Sequence, residues 1–188
     1  MSIPSFDWQS PTAPLETVEL AKAEKERAGR ITNMKGVLLH SAPAFRLFAA
    51  VLPLKESLRA TFGARAVDVF SLAISEDSHC LLCSLYFRRA LKAHGVNPDE
   101  YVPTEDEAAL IEIAHRIAAA PDAHRAPPPK ALKTIEDKYG VETVVALVSY
   151  GSAMLATNRL NTTLGIPLDD DLLPTLAETE DKVAASAA

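Results

Sequence analysis

Ser75-Glu-Asp-Ser-His-Cys80-Leu-Leu-Cys83-Ser-Leu-Tyr-Phe87 holds the only two cysteines of the 188-residue chain, spaced Cys-x-x-Cys at what reads as the start of a helix. In a helix the second cysteine lies about one turn beyond the first, so the sulfurs can meet and close a disulfide with little backbone movement. The spacing marks either a redox pair or half of a metal site. A structural zinc site needs four ligands, and the chain has no second Cys pair and no His-x₃₋₅-His, so no metal is expected. Asp77 or Ser78 is the expected N-cap, which puts Cys80 in the first turn and Cys83 just after it. There the free N–H groups and the helix dipole lower a thiol pKa, and the thiolate is the reactive form. A second reading competes. Cys80, Cys83, Phe87, Leu91 and His94 recur along one mostly apolar face, where cysteines can pack as small hydrophobes.

Upstream, Ala64 to Ser75 reads as a helix apolar on nearly every side, hence central and buried. Asp68 interrupts it. A carboxylate there is costly without a partner, and the simplest account is a first-turn acid favoured by the dipole and paired with Arg65. Glu76 and Asp77 read as first-turn acids of the next helix, and their charge would raise the pKa of Cys80 against the dipole. His79, beside Cys80, is a candidate base if the chain there is still pre-helical, and otherwise a solvent-facing neighbour. Tyr86 offers a phenol that can donate a hydrogen bond but is no base at neutral pH. His94 is too far along the axis to touch Cys83 and reads as a helix-end residue before Gly95.

Around this centre the chain is expected to be all-α, with no convincing strand pattern. Residues 1–14 read as an extended arm whose Trp8 either packs on the domain or a partner subunit or stays disordered. Residues 15–168 read as one helical domain, and 169–188 as an acidic, then alanine-rich tail with one peripheral helix. Leu15 to Ala28 is amphipathic and stopped by Gly29; Pro43 and Pro53 break the next stretch into short helices. Arg46 and Lys55 look like surface residues, and His40 reads as structural or as lining the thiol site. Thr104-Glu-Asp-Glu107 is a capping box opening a helix, with His115 at its edge. The Pro-rich segment 120–129 reads as a surface loop exposing His124. Val141 to Leu164 is the longest periodic helix. Gly151 forms a notch on it, and Asn158, on the same face, belongs to a buried polar network in preference to a substrate contact.

With 48% hydrophobic residues, the chain can bury a sizeable core. A formal net charge of −6 and the lack of a basic patch argue against nucleic acid. No long uninterrupted apolar run and no basic-then-apolar leader occur, so no membrane association or secretion is expected. A close cysteine pair in such a chain fits a reducing compartment, and the expected location is cytoplasmic.

The run Arg65-Ala-Val-Asp68-Val-Phe-Ser-Leu-Ala-Ile-Ser75, followed by the Cys-x-x-Cys helix ending in Arg88-Arg89-Ala-Leu, resembles the core of the alkylhydroperoxidase D and carboxymuconolactone decarboxylase superfamily. Its peroxidases carry Glu, eleven residues, Cys-x-x-Cys, three residues, His; here these positions fall on Asp68, Cys80, Cys83 and Phe87. The dithiol is intact, the acid is one methylene shorter, and the imidazole is replaced by a ring that carries no proton. Val141 to Gly165 also resembles the long helix after the core in the peroxidase-related branch. The resemblance, over about residues 35 to 168, implies an AhpD-like all-α fold around the Cys-x-x-Cys helix and assembly into homo-oligomers. It also implies a thiol peroxidase that reduces alkyl hydroperoxides through a Cys80/Cys83 dithiol–disulfide cycle, with an external dithiol as reductant and no cofactor. Cys80, Cys83, Asp68 and His79 are the resulting catalytic candidates, with Cys83 as the attacking sulfur from the family's His spacing. The alternatives are a non-peroxidatic member that binds small molecules or serves assembly, and, disfavoured by the dithiol, a decarboxylase of the same superfamily.

Overall fold

A computed structural model of the chain describes residues 3–119 and 128–186, which fold as helices with no strand among them. The protein is all-α. At its centre is α5 (Ala64–Asp77), whose Val67, Val69, Phe70, Leu72 and Ile74 are all buried. Burying such side chains contributes about 1.5–3 kcal/mol each, so a helix apolar on every side is stable only when neighbours cover all of it. They do: α4 (Leu52–Phe62), α6 (Leu81–Ala93), α7 (Glu105–Ala118) and α9 (Val141–Thr163) all pack on α5. The capping box is present at the start of α7, where Thr104 and Glu107 satisfy each other's backbone N–H. Gly151 is the expected notch. A Cβ there would sit 2.5 Å from Ile117 Cδ1 and 2.8 Å from Phe70 Cζ, so glycine lets α9 come close to α5 and α7. α8 (Lys130–Tyr139) bridges α7 and α9.

A second, smaller core gathers Ala21 of α1 (Leu15–Ala28), Leu38 of α2 (Asn33–Leu38) and Phe45 of α3 (Ala42–Ala49). Phe6 and Trp8 pack against it, so the amino-terminal arm docks on the domain. The Phe6 N–H donates to the Gly36 carbonyl at 2.9 Å, and the His40 ring donates to the Pro4 carbonyl at 2.9 Å. His40 is thus structural and lines no cysteine. Pro43 and Pro53 fall in the first turns of α3 and α4, so they begin those helices without interrupting either. At the other end, a 3₁₀ turn (Asp170–Leu172) and α10 (Leu173–Ser186) pack on α6. Arg89 pairs with Asp171 and Lys92 with Glu178, while Leu172 is fully buried. Residues 169–181 therefore belong to the packed structure. The expected Pro-rich loop, His124 included, lies outside the described residues except for residues 128 and 129.

Candidate active site

The site is built at the α5–α6 junction, where the structure departs from the expected boundary. α5 continues to Asp77, so Glu76 and Asp77 occupy its last turn and not the first turn of α6. Their charge is also directed away from the sulfurs: Glu76 pairs with Arg88, and Asp77 with His115 Nδ1 at 2.6 Å. The helix ends in a Schellman arrangement. The Cys80 N–H bonds the Ser75 carbonyl at 3.0 Å, and the His79 N–H bonds the Glu76 carbonyl at 3.0 Å. This geometry needs a left-handed residue between Ser78 and Cys80, and His79 supplies it with φ 55°. Gly95 and Gly165 fill the matching position after α6 and α9, while His79 is the only non-glycine residue with positive φ among the described residues. A side chain held there is strained, a condition that clusters at functional sites.

Neither Asp77 nor Ser78 is the cap of α6. Cys80 itself is the N-cap, with extended backbone (φ −92°, ψ 95°), and Cys83 lies one turn on. Both thiols are free, and the residues are 2% and 5% exposed. A neutral thiol is a weak acceptor, and Cys80 forms no side-chain cap bond in this state. Its ionised form is well supported. The Cys83 thiol donates to the Cys80 sulfur and is the main influence lowering the Cys80 pKa to about 6, with further help from the Cys83 N–H, the Thr162 hydroxyl and the Asn161 amide; burial opposes them. The same thiol–thiol bond and burial push Cys83 well above the usual thiol range. Of the two, Cys80 at the N-cap is the sulfur drawn down and Cys83 the one pushed up, whereas the expectation from the His spacing made Cys83 the attacking sulfur.

Each cysteine lines its own cavity. Cys80 lines one of about 330 Å³ with His79, Leu81, Thr162 and the segment Gly165–Leu168. Cys83 lines another of about 430 Å³ with Leu52, Phe87, Met154 and several charged residues of the α1–α2 region. Leu82 and Asn161 stand between them and line both. Asn161 Nδ2 donates to Cys83 Sγ at 3.2 Å, and its Oδ1 is buried without a hydrogen-bond partner among the described residues. The Thr162 hydroxyl donates to the Asn158 carbonyl at 2.9 Å. Its single proton can serve that carbonyl or the Cys80 sulfur. Asn158 belongs to the structural network: Nδ2 donates to Ser78 Oγ at 2.8 Å and Ser75 Oγ at 3.3 Å, tying α9 to the junction.

Asp68 is buried, 1% exposed, but not beside a sulfur and not paired with Arg65. Arg65 instead bonds Glu107 at 2.8 Å. Asp68 meets Arg59 at 3.4 Å, Lys55 at 3.7 Å and His94 Nε2 at 3.1 Å. Lys55 is no surface residue: its ammonium lies 5.2 Å from the centre of the Phe87 ring, and burial draws its pKa down against the pull of Asp68. Lys55 thus stands between the buried Asp68 carboxylate and the Phe87 ring, a side chain that transmits no proton. Tyr86 stacks edge-on against Phe87 and does not bond either sulfur. Among the described residues no three His, Cys, Asp or Glu side chains converge as a metal site. No described helix is long and apolar enough to cross a membrane.

Sequence reading missed Asn161, Thr162 and Lys55. The signal for Asn161 was present, since Asn158 and Asn161 are amides three apart on one face of the long helix. No family model matches the chain, and no curated protein matches it in sequence.

Proposed function

We propose that the protein is a thiol-dependent, peroxidase-like oxidoreductase of the alkylhydroperoxidase D-like type, reducing alkyl hydroperoxides with Cys80 and Cys83. The observation that carries this reading is the placement of the dithiol, with Cys80 at the N-cap of α6, Cys83 one turn on, and Cys80 lining a cavity that His79 shares; the Cys80 pKa drawn down to about 6 beside a raised Cys83 agrees with it. In the first step the Cys80 thiolate attacks the terminal peroxide oxygen. The O–O bond breaks, the alkoxide takes a proton to leave as alcohol, and Cys80 becomes a sulfenic acid. His79 is the group placed to hand over that proton. The Cys83 thiol then condenses with the sulfenic acid, releasing water and forming the Cys80–Cys83 disulfide. An external dithiol attacks that bond at Cys83, expelling Cys80 as the better leaving thiolate, and its own second thiol closes to complete the exchange. Asp68 has no direct part and acts as the anchor of the Lys55–Arg59–His94 cluster. Assembly into a homo-oligomer and a cytoplasmic location belong to the same proposal.

Near-complete burial of both sulfurs favours the second reading, a protein of this fold that binds small molecules around packed, unreactive cysteines. Peroxide titration separates the two. The proposal expects one equivalent of cumene hydroperoxide to remove both free thiols, with a mass decrease of two hydrogens; retention of both thiols in the folded protein selects the packed reading.

A further inference from the structure

Lys35, in the wall of the larger cavity, carries a cation with unused hydrogen-bonding capacity, its Nζ sealed from solvent in this conformation. Lys35, on α2, is 7% exposed and lines the cavity, and its ammonium has no hydrogen-bond partner among the described residues. The nearest carboxylate, Glu24, is 3.9 Å away and is engaged by Arg27 through bonds of 2.6 and 3.1 Å. The Phe45 ring, 4.7 Å from the ammonium, supplies its other favourable contact. Leaving a buried charged donor unfilled is costly. The remaining cations of the cavity are matched: Arg27 to Glu24, and Arg30 and Arg89 to Asp171. Lys35 is therefore the group through which an incoming anion gains most.

The rest of the wall is apolar. Leu52, Leu82, Phe87 and Met154 line the same space, whose volume of about 430 Å³ is within the range of small-molecule sites, roughly 300–1,000 Å³. One under-satisfied cation beside an apolar trough fits a single negative charge on a hydrocarbon body. A phosphate dianion would face only one spare cation together with Glu24, Asp169 and Asp171, which line the cavity too.

We propose that this cavity is a binding site for an amphipathic organic monocarboxylate, with the Lys35 ammonium turning out of the wall to meet the carboxylate and the apolar body along Leu52, Leu82, Phe87 and Met154. This site does not depend on the redox reading, because its contacts involve neither ionised sulfur nor Cys80. Filling the Lys35 donors also ties α2 to α6 and α9 across the cavity.

Calorimetric titration of the reduced protein with octanoate, 1-octanol and inorganic phosphate tests it. Octanoate is expected to bind on the order of 10- to 100-fold more tightly than 1-octanol, the worth of a hydrogen-bonded charge pair in a buried site. Lys35→Met removes that preference, Lys35→Arg retains it, and Arg46→Ala, on the exposed surface, leaves it intact. Cys80→Ser binds octanoate as the unmodified protein does, so the carboxylate site stands or falls separately from the peroxidase reaction. Equal binding of acid and alcohol, no binding of the acid, or phosphate binding as tight as octanoate overturns the proposal. The acid-to-alcohol comparison needs no variant and stands even if Lys35→Met does not fold.

Discussion

Replacing His79 with glycine separates the two reasons a histidine can stand at the end of α5. The residue sits at φ 55° where α6 and α9 are followed by glycine. A left-handed conformation costs a residue with a Cβ about 1–2 kcal/mol, and histidine tolerates it better than most. Glycine removes that strain but adds about 0.4–1 kcal/mol of unfolded-chain entropy. The net expectation is a variant more stable by about 0.5–1 kcal/mol, or roughly 1–4 °C in Tm for a chain of this size. The same change deletes the imidazole beside Cys80. Loss of a positioned proton donor lowers a rate by about 10²-fold or more, so cumene hydroperoxide turnover with dithiothreitol as reductant falls by that amount. His79→Ala is the control, because it keeps the Cβ strain and loses the ring: turnover falls equally with no gain in Tm. A glycine variant that is stabilised yet turns over peroxide at the original rate refutes the catalytic role and leaves His79 as a turn residue only.

Asn161→Ala removes the amide that donates to Cys83 Sγ and gives the weakest of the influences holding the Cys80 pKa down, so the Cys80 pKa rises by less than about one unit, read from the pH dependence of its alkylation. Asp68→Asn leaves Lys55 and Arg59 facing a neutral amide in a buried cluster. Denaturant unfolding should show a loss of about 3 kcal/mol, while Cys80 alkylation is unchanged. Stability should also depend on pH through Cys80. Its folded pKa, about 6, lies below the ordinary thiol value of 9.0, so the thiolate's contribution is fully present above the unfolded pKa and is lost as pH falls through about 6. The raised Cys83 pKa acts in the opposite sense only above the ordinary thiol range. Between about pH 6 and 9, Tm of the reduced protein should therefore rise with pH more steeply than Tm of Cys80→Ser.

The helical class, the central place of α5, the capping box at Thr104 and the notch at Gly151 were legible because each is written in local residue types or in a short period. The boundary at the dithiol was not. Glycine is the ordinary signal for a helix end, and with histidine in that position the periodicity offered no stop before Cys80, so Asp77 and Ser78 read as caps. That small shift moves Cys80 out of the helix and makes it the N-cap, which is what sets it apart from Cys83. The partners that tune the pair were hidden by distance along the chain: Asn161 reaches Cys83 across 78 positions. Lys55 read as a surface residue because a lysine's burial depends on what meets it, here Asp68 and the Phe87 ring from two other helices.

Site-resolved alkylation of the reduced protein with iodoacetamide across about pH 4 to 10, a window that brackets the ordinary thiol range, tests most directly whether one sulfur is the thiolate and the other its proton donor. Cys80 is expected to be labelled with a midpoint near pH 6, while Cys83 stays protected throughout. Equal midpoints near the ordinary thiol value, or preferential labelling of Cys83, would contradict that division of roles.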